Sequence, residues 1–273
     1  MTSAAQSANS NAKQAATSRP MKVAARVGIL AYGVTHLLIG VLALQVAFGQ
    51  GGEQASESGA FQAIVDQSFG RILLWVLALG FVAAAVWRGE LAIWGYGYVS
   101  ERSKYLRKKV VSAVKAVIFV ALAILAGTTA AGSGGGGGSQ QEATAGVFGL
   151  PGGRFIVGLI GLVVLVVGVV KVVEGWQKKF LEDMDAPSGH RARTVLERIG
   201  QVGNVAKGIA IGLIGVLLIV AAIRFRPEEA TGLDAALKGL AAQPYGPYLL
   251  TAVALGIVSY GVFCFFDARY HRV

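Results

Sequence analysis

The sequence has little that would support disulfide, redox or metal chemistry. It contains one cysteine, Cys264, and three histidines, His36, His190 and His271. A single thiol excludes an intramolecular disulfide framework and a CxxC redox motif. His36 lies inside a long apolar run, whereas the other two histidines lie outside such runs, so no two imidazoles can share one haem iron. The sequence therefore predicts no cofactor.

The local motifs of common enzymes are also missing. The chain contains no GxSxG nucleophile motif, no HExxH zinc motif and no Walker phosphate loop. Its apolar runs hold no paired carboxylates for acid–base chemistry. We therefore expect that the protein is not an enzyme.

Charged residues are scarce, at 15% of the chain, whereas hydrophobic residues make up 54%. This composition is far from the average of soluble proteins. The apolar residues form six near-continuous runs, at about 27–48, 72–98, 110–131, 155–173, 202–223 and 248–266. Each run reaches or approaches the ~20 residues that cross a ~30 Å hydrocarbon core as a helix. The sequence predicts an all-α, polytopic membrane protein with six transmembrane helices.

Acidic residues are fewer than basic ones, which gives a formal net charge of +10. Most lysines and arginines lie before the first run, between runs two and three, between runs four and five, and after run six. The positive-inside rule then places both termini in the cytoplasm. Attraction to anionic lipid at the cytosolic face explains the positive charge, so we expect a lipid partner and no nucleic acid.

Two segments have low-complexity composition. Residues 1–20 are rich in Ser, Ala, Asn, Gln and Thr, which predicts a disordered cytosolic tail. Residues 132–139 are six glycines and two serines and have the composition of a flexible linker, natural or engineered. Because they join runs three and four inside one helical hairpin, we interpret them as a natural external loop.

Internal repeats are the most informative feature. When "GILAYGVTHLLIGVL" is laid over "GNVAKGIAIGLIGVL", glycines 28, 33 and 40 meet glycines 203, 208 and 215, and "VSAVKAVIFVALAIL" aligns with both. The second helices begin at "FGRILL", "GGRFIV" and "YGPYLL". We predict three helical hairpins, at residues 21–100, 101–180 and 181–273. Because all three enter and leave on one side, they are parallel repeats about a pseudo-threefold axis.

These repeats resemble a known family. The three-hairpin layout, the "KG" or "YG" before an apolar stretch with "LIG", and the "QPYG" entry to the last helix are similar to the bacterial domain-of-unknown-function 1206 family. The resemblance covers nearly the whole chain from about Met21, and it implies a fold but no established activity. This chain departs from the family pattern at Tyr32, where a basic residue is usual, and at His36, where an aromatic residue is common.

Lys115 and Lys207 are candidate polar sites, because both occupy the Tyr32 slot of the repeat. A charge within a membrane helix suggests a functional site, in binding or conduction. A shallow lysine can also extend its ammonium group to the membrane interface along its aliphatic stem. We leave both interpretations open.

The candidate carboxylates are Glu90, Glu174 and Asp267, one near the cytosolic end of each second helix. A helix C-terminus is an unfavourable place for an unpaired anion. A third interpretation of the lysines is therefore structural: Lys115 would pair with Glu174, and Lys207 with Asp267, as ionic clamps.

His36 lies on the same helical face as Gly33 and Gly40, which predicts that it faces a neighbouring helix. The equivalent residues are Phe119 and Ile211. We interpret His36 as a packed residue whose ring bonds a nearby carbonyl or hydroxyl group. The alternative is a single proton-titrating group in one repeat of three.

Two functional classes remain from the sequence. The first is an accessory or assembly protein of the bacterial inner membrane that holds a membrane-protein partner. The alternative is a small-solute or ion transporter with a pathway along the pseudo-threefold axis. Few polar residues lie at mid-membrane, which favours the accessory role.

Overall fold

The computed structural model describes residues 19–49, 54–96, 101–132, 152–185, 189–224 and 233–270. Six long helices are α1 (Arg19–Ala47), α3 (Gly70–Trp94), α4 (Arg102–Ala130), α5 (Gly153–Trp176), α6 (His190–Arg224) and α8 (Gly246–Tyr270). Two short helices, α2 (Glu57–Val65) and α7 (Leu233–Ala241), and a 3-10 helix at Lys179–Asp183 complete the described elements. Most of the predicted tail and of the glycine-rich loop at 132–139 lies outside the described residues.

All six long helices are long and apolar enough to cross a membrane. The prediction of an all-α, polytopic membrane protein is therefore confirmed, while the orientation of its termini stays a prediction. The helices that begin each repeat extend past their apolar runs, since α1 starts at Arg19, α4 at Arg102 and α6 at His190. These extensions carry basic residues, and we call the end of the bundle where α1, α4 and α6 begin the basic end.

The long helices pack in the spatial order α5, α6, α8, α1, α3, α4. The most extensive pairs are α5 with α6, α8 with α1, and α3 with α4. Each of these pairs joins the second helix of one repeat to the first helix of another. The pairs α1 with α3 and α6 with α8 lie within repeats. In the described ranges, α4 and α5 share no extended interface, so the ring of six helices is open on one side.

Small residues at repeat-equivalent positions form the contacts between repeats. A Cβ added at Gly208 of α6 would lie 2.7 Å from the Val172 backbone nitrogen and 2.9 Å from the Gly168 carbonyl oxygen of α5. A Cβ added at Gly33 of α1 would lie 3.1 Å from the Gly261 carbonyl oxygen of α8. The helix backbones touch only because these side chains are absent.

The two helices of a repeat also need small residues where they touch. The lack of such residues in repeat two explains why the ring is open between α4 and α5. In repeat one, Gly28 and Ala31 face Gly80, and in repeat three Ala206 faces Gly256. The corresponding residues of repeat two are all valines, namely Val111, Val114 and Val163. A β-branched side chain in place of glycine or alanine holds two helices apart, so α4 and α5 lack the close contact that the other hairpins make.

The end of the bundle opposite the basic end is closed by α2 and α7. Phe61 of α2 and Leu237 of α7 are fully buried, which shows that both short helices pack into the bundle. The Ala55 amide donates to the Asp234 carboxylate at 2.8 Å and joins the two helices. We call this end the capped end.

Candidate functional site

A polar cavity of about 80 Å³ lies between the helices near the basic end. Five of the six long helices line it, and α5 contributes no described residue. The charged and polar lining residues are Tyr32, Arg88, Lys115, Lys207, Tyr260 and Asp267, and the others are Ile29, Ile118, Phe119 and Cys264. One buried water molecule needs ~10–15 Å³ of such space, so the cavity has room for a polyatomic group.

The internal repeat builds this cavity. Tyr32, Lys115 and Lys207 hold one slot in the three first helices, and the structure brings all three to the same space. When "GR" of α3 is aligned with "GP" of α8, Arg88 and Cys264 also fall in one slot, and both line the cavity. Equivalent positions of three repeats therefore surround the predicted pseudo-threefold axis at this depth.

Lys207 is fixed by aromatic groups from other helices. Its ammonium group donates a hydrogen bond to the Tyr32 hydroxyl at 2.6 Å. It lies 4.4 Å from the centre of the Tyr32 ring and 4.0 Å from that of Tyr260. Cation–π contacts stabilise an ammonium group away from water, but they do not neutralise its charge. Tyr32 thus supplies a hydrogen-bond acceptor in a slot where the other two repeats have a lysine, which would repel Lys207.

Arg88 is the basic cavity residue that the sequence did not single out. It is only 8% exposed, and its Nε has no hydrogen-bond partner among the described residues. Its guanidinium group lies 4.1 Å from the Trp87 ring centre. Alignment of Arg88 with Lys171 of α5 is the sequence signal that would have marked it. Most buried donors in proteins have a partner, so this one, in the wall of a cavity, could bond a group that enters it.

The predicted clamps take a different form in the structure. Glu174 pairs with Lys171 at 2.7 Å and with Arg107 at 3.8 Å, and not with Lys115. The reason is that α5 is held away from α4. Lys207 bonds Tyr32, while Asp267 lines the same cavity and makes other interactions.

Glu90 lies outside the cavity lining. It is half-buried, and its Oε2 atom has no hydrogen-bond partner among the described residues. In the aligned second helices, Leu91 and not Glu90 occupies the slot of Glu174 and Asp267. The first repeat therefore brings Arg88 to the site and no carboxylate.

His36 is packed next to the cavity. It is 6% exposed, its Nδ1 lies 2.9 Å from the Tyr32 carbonyl oxygen, and its ring centre lies 4.2 Å from that of Tyr32. The Tyr260 ring is 5.0 Å away. This geometry is the packed arrangement that the sequence favours, with the ring nitrogen bonded to a carbonyl group of its own helix.

The chemistry of the cavity is that of a cationic pocket. Three basic side chains, those of Arg88, Lys115 and Lys207, line the cavity together with one acidic side chain, that of Asp267. Within the described ranges, no group of three His, Cys, Asp or Glu residues is placed to hold a metal ion. Guanidinium and ammonium groups are donors that bind phosphate and carboxylate oxygens, so the arrangement suits an anion.

The sequence matches known proteins along most of its length. The family described as Domain of Unknown Function (DUF1206) matches three tandem regions, residues 27–95, 110–178 and 202–271. An uncharacterized protein of Bacillus subtilis (strain 168), YxxB, is 29% identical over 249 residues, which are 91% of this chain and 90% of that protein. No solved structure matches significantly. The chain is an integral membrane protein that belongs to the Domain of Unknown Function (DUF1206) family, with three copies of its repeat.

Proposed function

We propose that this protein is a bacterial plasma-membrane protein that binds a small anionic group in the cavity at the basic end. The observation that carries the proposal is the convergence of Arg88, Lys115 and Lys207 on a space that they share with one carboxylate. A positive charge within a membrane helix is unfavourable unless it is paired with another group. Basic side chains that lie close together repel each other when they are charged, and a bound anion offsets this repulsion.

The proposal includes access from the cytosol. The positive-inside rule assigns the basic end to the cytosolic side, with both termini there. Phe61 and Leu237 are buried at the capped end, which favours access to the cavity from the basic side. This is a binding role and not an enzymatic one. In a transporter, the cavity would be one binding site on a solute pathway along the pseudo-threefold axis.

Anion-dependent stability tests the proposal. Purified full-length protein is heated in gluconate buffer with phosphate, sulfate or a small carboxylate added. A ligand at 100 times its Kd should stabilise the fold by about 2.7 kcal/mol. The variant Lys115→Gln should lose this response. Lys179→Gln, which removes an exposed charge at the same end, should keep it. If no anion raises the Tm of the wild type, the protein does not bind anions and the proposal is wrong.

Flux measurements then separate binding from transport. Protein in liposomes is given a gradient of the anion that raised the Tm most. Flux that Lys115→Gln abolishes and Lys179→Gln preserves would extend the proposal to a transporter. Binding without flux would limit the role to binding.

A second candidate, an accessory role in assembly, is favoured by the open side of the ring. Val163 of α5 is 54% exposed at the position where repeats one and three bury a glycine against the partner helix. A helix of another membrane protein would fit there. One stoichiometric partner that is lost with Val163→Trp, and retained with Val82→Trp on the exposed face of α3, would support this role.

A further inference from the structure

The cavity has an opening on the side of the bundle. Ile118 lines the cavity and is also 46% exposed on the outer surface of α4. Lys115, one turn earlier on the same face, is half-buried. No described residue of α5 closes the cavity on this side. The cationic pocket is therefore open toward the membrane between α4 and α5.

Repeat two encodes this opening in its sequence. Val114 and Val163 stand where the other repeats place the pairs Ala31 with Gly80 and Ala206 with Gly256. The valines make close packing of the two helices unfavourable. The other two hairpins, which have the small residues, are closed. The opening is thus a property of one repeat and not of the repeat in general.

The surroundings of the opening are amphipathic. On the basic side, Arg107 and Lys171 hold Glu174 between α4 and α5. Toward the membrane centre, Ile118 of α4 and Val163 and Val167 of α5 are exposed and apolar. A molecule in this position meets cations at one end and hydrocarbon side chains at the other. That is the polarity of a membrane lipid with an anionic headgroup.

We infer that the cavity binds the anionic headgroup of a membrane lipid, which enters from the bilayer between α4 and α5 and leaves its acyl chains along the exposed valines. This inference rests on the proposed anion-binding function and names the class of ligand. The headgroup phosphate bonds Lys115 and the unpartnered Nε of Arg88, and the volume of about 80 Å³ accommodates a phosphate group. Lys207 contributes charge while it stays bonded to Tyr32.

Native mass spectrometry of the full-length protein in mixed micelles tests the inference. The probes are phosphatidylglycerol and phosphatidylcholine with identical chains, each added with and without inorganic phosphate. We expect one phosphatidylglycerol to bind at least tenfold more tightly than phosphatidylcholine. Lys115→Gln should remove this preference, and Lys179→Gln should retain it.

A second pair of variants tests the route of entry without changing charge. Ile118→Trp narrows the opening at a position that is already exposed, and we expect it to reduce bound phosphatidylglycerol at least fivefold. Ile124→Trp, at another exposed position of α4, should bind as the wild type does. The Tm of each variant shows that it is folded.

The outcomes separate this inference from the proposed function. If inorganic phosphate raises the Tm and competes at the site while phosphatidylglycerol binds no better than phosphatidylcholine, the ligand is a free anion and the lipid inference is wrong. Preferential phosphatidylglycerol binding that Lys115→Gln leaves unchanged also overturns it. If neither lipid headgroups nor free anions bind the wild type, the proposed function itself fails.

Discussion

The contact between Lys207 and Tyr32 joins the third repeat to the first at the level of the cavity. Its hydrogen bond is 2.6 Å long and has a charged donor. We expect Tyr32→Phe, which removes the acceptor and keeps the ring, to lower the free energy of unfolding by about 1.5–3 kcal/mol. Equilibrium unfolding in mixed micelles measures this. Tyr248→Phe, at an exposed tyrosine, is the control, and an equal loss in both variants would contradict the prediction.

His36 offers a test of packing against proton chemistry. Because Phe119 fills the equivalent slot in repeat two, we expect His36→Phe to change stability by less than about 1.5 kcal/mol. His36→Ala should cost at least about 2 kcal/mol, since it leaves a cavity beside Tyr32 and Tyr260. The same unfolding assay applies. A folded His36→Phe variant that no longer responds to anions would instead give His36 a chemical role.

Individual residues of the site were only partly predictable from the sequence. Lys115 and Lys207 stood out because charges are rare in apolar runs, and Asp267 because it is an acid near a helix C-terminus. All three line the cavity. The clamp partners were not predictable, because pairing depends on how far apart α4 and α5 stand. Arg88 did not stand out, because its repeat slot holds the uncharged Cys264 in repeat three. Tyr260 was not predicted, because a single aromatic residue in an apolar run does not by itself indicate a binding site.

At the scale of elements, the α5–α6 pair depends on glycine-to-backbone contact. We expect Gly208→Val to lower the free energy of unfolding by about 1–3 kcal/mol or to prevent folding, since its Cβ would meet the Val172 nitrogen at 2.7 Å. Gly89→Val is the matched control, because no atom lies within 4 Å of an added Cβ at Gly89. Thermal stability and the monodisperse fraction after purification measure the effect. Equal behaviour of the two variants would show that the helices do not depend on this contact.

The six long helices and the alignment of the three repeats could be predicted, because apolar runs and glycine spacing can be recognised in the sequence itself. The choice of neighbours could not. Gly33, Gly208 and their equivalents marked a contact face on each first helix, but the face alone does not say which helix it meets. In the structure it meets the second helix of another repeat, such as Gly261 of α8 for Gly33. The valines of repeat two became informative only once the contacts of repeats one and three were known.

For the whole molecule, the distribution of basic residues predicts one orientation in the membrane. We expect a membrane-impermeant maleimide to label Gln243→Cys, at the capped end, in intact cells. Arg193→Cys, at the basic end, should react only after the membrane is disrupted. The native thiol interferes little, because Cys264 is buried. The reverse labelling pattern would place both termini outside the cytoplasm.

The open side of the ring has a consequence for how the polypeptide can be divided. The two helices at the ends of the spatial order, α4 and α5, are neighbours in sequence and share no extended interface within the described ranges. A cut in the glycine-rich connection would therefore leave two halves that still meet along α1 and α8. Residues 1–132 and 140–273, expressed from separate genes, should assemble by fragment complementation through Gly33, Gly40 and Gly261. The two halves, each with three long helices and one short helix among the described residues, are in this respect comparable to the subunits of a heterodimer.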